Sequence, residues 1–148
     1  MRRYGLFVAA FTIAAIACGD STSPETRSLD GAWSTGHTIV GLELGLALTW
    51  TERTVHGTGG YALANDSLAC GTTTPAIPGN GTVTLNATRP AVDRVSGSLQ
   101  FDGGATIPFD GTVVDSSRIN GSFARIEATI TAPDGTKCAW GLIHALVP

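Results

Sequence analysis

The chain has 148 residues, the size of one domain, and leaves no remainder able to bury a second core. Charged residues make up 14% and aromatics 7% while glycine occurs 19 times, which excludes disorder, a coiled coil and a long charged helix. The formal charge is −3, and −5 once Met1 to Ala17 with Arg2 and Arg3 are set aside, so nucleic acid is not an expected partner.

Arg2 and Arg3 precede an apolar run from Leu6 to Ala17, followed at once by Cys18, Gly19, Asp20 and Ser21. A basic start, a short apolar stretch and small residues at its end form the pattern of a secretory signal. In a helix the run would span about 18 Å, short of the roughly 30 Å hydrocarbon core. A permanent transmembrane anchor is therefore disfavoured, and residues 1–17 are expected to be removed. Ala15-Ile16-Ala17-Cys18 resembles the lipobox of bacterial lipoproteins, in which the cysteine is diacylated and becomes the new N-terminus. That resemblance implies a protein of the bacterial cell envelope, held on a lipid bilayer through acylated Cys18, on the periplasmic side or at the cell surface. Two acyl chains hold a protein on a membrane where one barely does. From Cys18 to Leu29 the chain is small, polar and proline-containing, and reads as a flexible tether.

Cys18, Cys70 and Cys138 make an odd number. Lipidation of Cys18 leaves an even pair, and an oxidising envelope then favours a Cys70–Cys138 disulfide, worth up to about 4 kcal/mol by chain entropy.

From Asp30 to Pro148 the sequence alternates with period two and is punctuated by Gly, Asn-Gly and Asp-Gly, which predicts one all-β domain. A first strand is expected around Gly31 to Thr35 and the clearest one over Ile39 to Trp50, where Leu42, Leu44, Leu46, Leu48 and Trp50 share a face. Arg53 to Leu63 returns antiparallel. Gly81 to Thr88, Val92 to Phe101, Ala105 to Val114, Arg118 to Thr131 and Thr136 to Val147 complete about eight strands. Short turns such as Asp102-Gly103-Gly104 make this a meander, and a single eight-stranded sheet covers its apolar face most simply by closing into a small up-and-down barrel. A β-sandwich is the alternative; it needs crossovers, and Ala64 to Asn80 is the only long connection. That connection is either a lid or a plug stapled by the disulfide. In the expected seventh strand, Ile119, Gly121 and Phe123 lie on one parity and Ile126, Ala128 and Ile130 on the other, which predicts a bulge near Ala124 and Arg125.

Gly57, Gly97, Gly111 and Gly121 each follow an apolar residue by two and so share its inward face. Such glycines let strands coil and approach in a small barrel, or else leave room for a ligand. His37, His56 and His144 show no metal-like spacing, and no cofactor is expected. His144 shares a face with Trp140 and Leu142 and reads as a hydrogen-bonded inward histidine. No nucleophile elbow, phosphate loop or dinucleotide fingerprint occurs, so an enzyme has no sequence support. A transmembrane barrel is disfavoured because seven aromatics after Ala17 are too few for two interfacial girdles.

Gly31-Ala32-Trp33 at the first strand resembles the Gly-x-Trp opening of lipocalins and avidin-like proteins, up-and-down eight-stranded barrels that bind small, mostly apolar molecules. The resemblance implies that Trp33 plugs one barrel end and that the other is an open mouth. The Thr-Asp-Tyr segment, the last-strand arginine and the following helix of lipocalins are absent, as are biotin-binding motifs, so no ligand is named by it. The leading expectation is a lipoprotein whose barrel binds a small apolar ligand through Leu44, Leu46, Trp50, Phe109 and Trp140. The competing expectation is a packed structural or interaction module that contacts another envelope protein.

Overall fold

A computed structural model describes residues 29–35, 40–72, 76–115 and 123–145. The signal segment, Cys18, His37, Ile119 and Gly121 lie outside them. Eight antiparallel strands follow one another in a meander: β1 (Gly31–Thr35), β2 (Leu42–Trp50), β3 (Thr54–Leu63), β4 (Asn80–Ala91), β5 (Arg94–Phe101), β6 (Thr106–Asp115), β7 (Phe123–Thr131) and β8 (Lys137–Ala145). Each pairs with the next, and β1 pairs with β8 through Ser34↔Ile143 and Thr35↔Leu142, which closes the barrel. Among the described residues one 3₁₀ turn, Ala64–Asp66, interrupts the connection from β3 to β4.

Alternation decides which side chains go inside. Along β2 the leucines at 42, 44, 46 and 48 are buried while Glu43, Gly45, Ala47 and Thr49 are exposed. The same parity carries Trp33, Val55, Tyr61, Val83, Leu85, Leu99, Phe101, Ile107, Phe109, Ile126, Ile130, Trp140 and Leu142 into one apolar core. Outward positions on β3 to β6 are mainly small and polar: Thr58, Thr84, Asn86, Ser98 and Gln100 lie on the outer wall. A transmembrane barrel needs an apolar outer band. Here the apolar residues are on the inside.

Two expectations are corrected. β4 does not stop at Thr88 but runs to Ala91, and the turn to β5 is the pair Val92-Asp93, flanked by Ala91↔Arg94. Pro90 is tolerated because the register shifts between Thr88 and Ala91, and an irregular stretch is where a strand can hold a residue without an N–H. In β7 no bulge occurs at Ala124 and Arg125: pairing with β6 and β8 is continuous, and Ala124, Ile126, Ala128 and Ile130 all point inward.

Candidate functional site

Four of the expected ligand contacts, Leu44, Leu46, Phe109 and Trp140, are brought together in the core and buried there. Phe109 and Trp140 meet edge to face, with centroids 5.6 Å apart at 68°. Trp50 is half-buried and packs against this core beside Trp33, at the barrel end where the chain enters. The inward glycines do not leave open space. A Cβ on Gly57 would strike the Ala47 carbonyl, one on Gly59 the Gly45 carbonyl, and one on Gly97 the Asn86 carbonyl. At Gly111 the methyl groups of Ile126 and Ala128 already stand 3.0 and 3.1 Å from that point. Glycine is thus used here for close approach of strands, which tightens the barrel around its contents. Two core groups stay polar: Trp140 Nε1 and the Tyr61 hydroxyl are buried and have no hydrogen-bond partner among the described residues.

The end at which β1 begins is closed by stacked rings. Trp33, only 1% exposed, lies 4.9 Å from the His144 ring at an interplanar angle of 14°, and 5.5 Å from Trp50. Trp33 Nε1 donates to the Leu29 carbonyl at 2.9 Å, and His144 Nδ1 donates to the Ala32 carbonyl at 2.7 Å. The sequence motif placed Trp33 at a barrel end and His144 on the inward face, but it did not reveal that one ring lies on the other.

Arg89 completes this end and was missed by the sequence reading. It occupies the inward parity of β4 after Val83, Leu85 and Ala87, stands 5.3 Å over the Trp50 ring, and donates to the carbonyls of Thr51 and Val92, each at 2.8 Å. A charged side chain in an inward series at a strand end was the available signal.

The opposite end is closed by the connection from β3 to β4. Leu68, Cys70 and Ile77 join the core, so the described part of this connection acts as a plug. Cys70 and Cys138 form the disulfide, with Cα atoms 5.9 Å apart. Beside it Asp134 accepts from the amide and hydroxyl of Thr72, at 2.6 and 2.9 Å, and from the Thr136 amide at 2.9 Å. These donors hold the carboxyl well below the usual carboxylate range. Gly71, at φ +77°, has no room for a Cβ against that carboxylate. Asp102 is likewise lowered by the hydroxyl and amide of Thr82, at 2.6 and 2.7 Å. Burial, and then the Asp102 charge, raise the Tyr61 hydroxyl above its ordinary value.

On the outer wall a groove of about 540 Å³ runs over β6 to β8, where Thr112, Arg125, Glu127, Ala139, Gly141 and Ile143 face outward. Arg125 and Glu127 bridge at 2.8 Å on its side, and both are substantially exposed. A shallower hollow of about 440 Å³ lies over β3 to β5 beside His56, whose Nδ1 donates to Asn86 Oδ1 at 2.6 Å. Among the described residues no three His, Cys, Asp or Glu side chains gather as metal ligands.

No family model, curated protein or solved structure matches the chain.

Proposed function

We propose that the chain is an exported bacterial lipoprotein, anchored through acylated Cys18, whose packed barrel acts as an interaction module in the envelope. The signal pattern and Ala15-Ile16-Ala17-Cys18 support the anchor, and the internal Cys70–Cys138 disulfide is consistent with an oxidising compartment. The observation that carries the module reading is the burial of the expected ligand contacts. The side chains that would have contacted a ligand, Leu44, Leu46, Phe109 and Trp140, are buried in one core, and neighbouring strands occupy the space beside the inward glycines. An eight-stranded barrel is at the size where side chains alone can fill it. What such a barrel offers a partner is its wall and its ends. The architecture itself agrees with a lipocalin-like or avidin-like barrel at the level of strand order.

A second reading, a carrier of a small apolar molecule, has one observation in its favour. Trp140 Nε1 and the Tyr61 hydroxyl are buried without protein partners, and a mostly apolar ligand with polar atoms would satisfy them. Mass spectrometry of the chain purified from bacterial membranes separates the readings. The denatured mass is expected to show cleavage after Ala17 and two or more acyl chains on Cys18. The native mass is expected to equal the denatured mass. Additional small-molecule mass, lost on unfolding, would overturn the packed-module reading in favour of the carrier.

A further inference from the structure

The two ends of the barrel differ in what they present to solvent. At the end where β1 begins, the turn Thr51-Glu52-Arg53 and the turn Val92-Asp93 stand side by side, because Arg89 bonds a carbonyl in each and its own amide donates to the Arg53 carbonyl at 2.7 Å. Val92, at the tip, is 83% exposed. It is the most exposed large apolar side chain among the described residues, on a turn held in place from behind.

Charge is distributed unevenly along the barrel axis. Every arginine among the described residues, Arg53, Arg89, Arg94 and Arg125, lies at or near this end, opposed there by Glu52, Asp93 and Asp30 and by Glu127, which bridges Arg125. Asp102, Asp134 and Glu43 lie toward the other end, where Lys137 is the basic side chain among the described residues. Among the described residues one end is therefore close to neutral with an apolar tip, and the other is acidic.

The chain also leaves toward Cys18 from the neutral end. Eleven residue steps separate Cys18 from Leu29, which reach about 36 Å when fully extended and about 18 Å on average as a flexible coil. A link of this length confines its cargo at an effective concentration of about millimolar. A contact too weak to recruit a free protein is then sufficient to orient a tethered one.

From these observations we infer that the Val92 end is a bilayer-docking surface, with Val92 entering the interfacial region of an anionic phospholipid membrane while Arg53 and Arg94 meet its headgroups. The inference rests on the lipoprotein reading above. The acidic, disulfide-stapled end is then turned away from the membrane, because an anionic surface repels it. The plug of the β3 to β4 connection and its neighbouring turns become the face available to a partner.

The test uses the full chain, purified from bacterial membranes and reconstituted into nanodiscs of phosphatidylethanolamine and phosphatidylglycerol doped with a gadolinium-bearing headgroup lipid. Amide resonances are read for paramagnetic broadening. Strands of nine residues, rising about 3.3 Å each and tilted about 40°, separate the ends by roughly 23 Å, so broadening at 51–53 and 91–94 is expected to exceed that at 102–104 and 133–135 at least about threefold. Val92→Asp, a change on an exposed tip, is expected to cut that excess by about half, and Gln100→Glu, on the outer wall toward the other end, to leave it unchanged. Equal broadening at both ends, or more at 133–135, in a chain whose mass shows acylated Cys18 overturns the orientation alone. A purified chain without acyl mass overturns the anchor and the docking surface together.

Discussion

The barrel is shut at both ends, but by different physics. At the entry end the closure is a stack of rings, Trp33 on His144 and beside Trp50, fastened by Arg89 to two turns. At the far end it is a loop folded over the core, fastened by one covalent bond and by carboxylates that accept from threonines. Ring stacking is insensitive to redox state. A disulfide is sensitive to it, and hydrogen bonds to ionised carboxylates are lost in strong acid. The comparison teaches that the two ends respond to different conditions although they cap the same core. For a module on a tether, this means that the end facing outward in our reading is the conditional one.

The largest effect separating the ends is expected from the disulfide. It closes a loop with a sequence separation of 68, for which chain entropy predicts a loss of about 4 kcal/mol on removal. Cys70→Ser with Cys138→Ser is expected to lower the urea midpoint accordingly. Hydrogen exchange is expected to accelerate first at residues 68–72, while the amides of β1 and of the β2 end stay protected to the global limit. Simultaneous loss at both ends would show that the plug and the core unfold as one unit. Trp33→Phe is the matching change at the entry end. It removes the Nε1 bond to the Leu29 carbonyl and part of a fully buried ring, at a cost of about 2 kcal/mol. This loss is expected to be the same under reducing and oxidising conditions, whereas a dependence on reductant would couple the ends.

Most of the barrel was legible in the sequence, because strand alternation is a local signal. The Leu42 to Trp50 series, the return through Val55 and Tyr61, and the turn Asp102-Gly103-Gly104 could all be read within a dozen residues. The limits appeared where local signals compete. Pro90 punctuates the sequence and hid the last residues of β4, since only the register shift beside Thr88 makes room for it. The inward glycines carried two meanings until the neighbouring carbonyls were placed beside them. The closures were the least legible part. Asp134 and Thr72 are 62 residues apart, and neither carries a motif that names the other. Asp-Gly at 134 and 135 announced a turn, and nothing in it announced that the carboxylate also holds a loop. Arg89 was overlooked for a related reason: an arginine in a strand is ordinarily assigned to solvent, and here its guanidinium donates to carbonyls of two turns, one of them 38 residues away.

The smallest expected effect is also the sharpest test of the far end. Asp134 and Asp102 are both held below their ordinary values by hydrogen bonds made in the folded state. A carboxyl with a depressed folded value contributes stability that is fully present above its unfolded value, about 3.9, and is lost as pH falls toward the folded value. Below pH 4 the unfolded chain binds protons that the folded one refuses, so stability declines with acid there. Asp134→Asn is expected to make the protein less stable at pH 6 and to flatten the decline between pH 4 and pH 2. The change should be visible in the thermal midpoint, with faster exchange at the amides of Thr72 and Thr136. Both carboxylates are on the surface, so the effect is expected to be small and partly screened by salt. Its location is the informative part. If acid loosens residues 70–72 and 134–136 while the Trp33 and His144 stack keeps its protection, the far end opens independently of the core. If the same acid range disturbs the stack first, the aromatic closure is the weaker of the two.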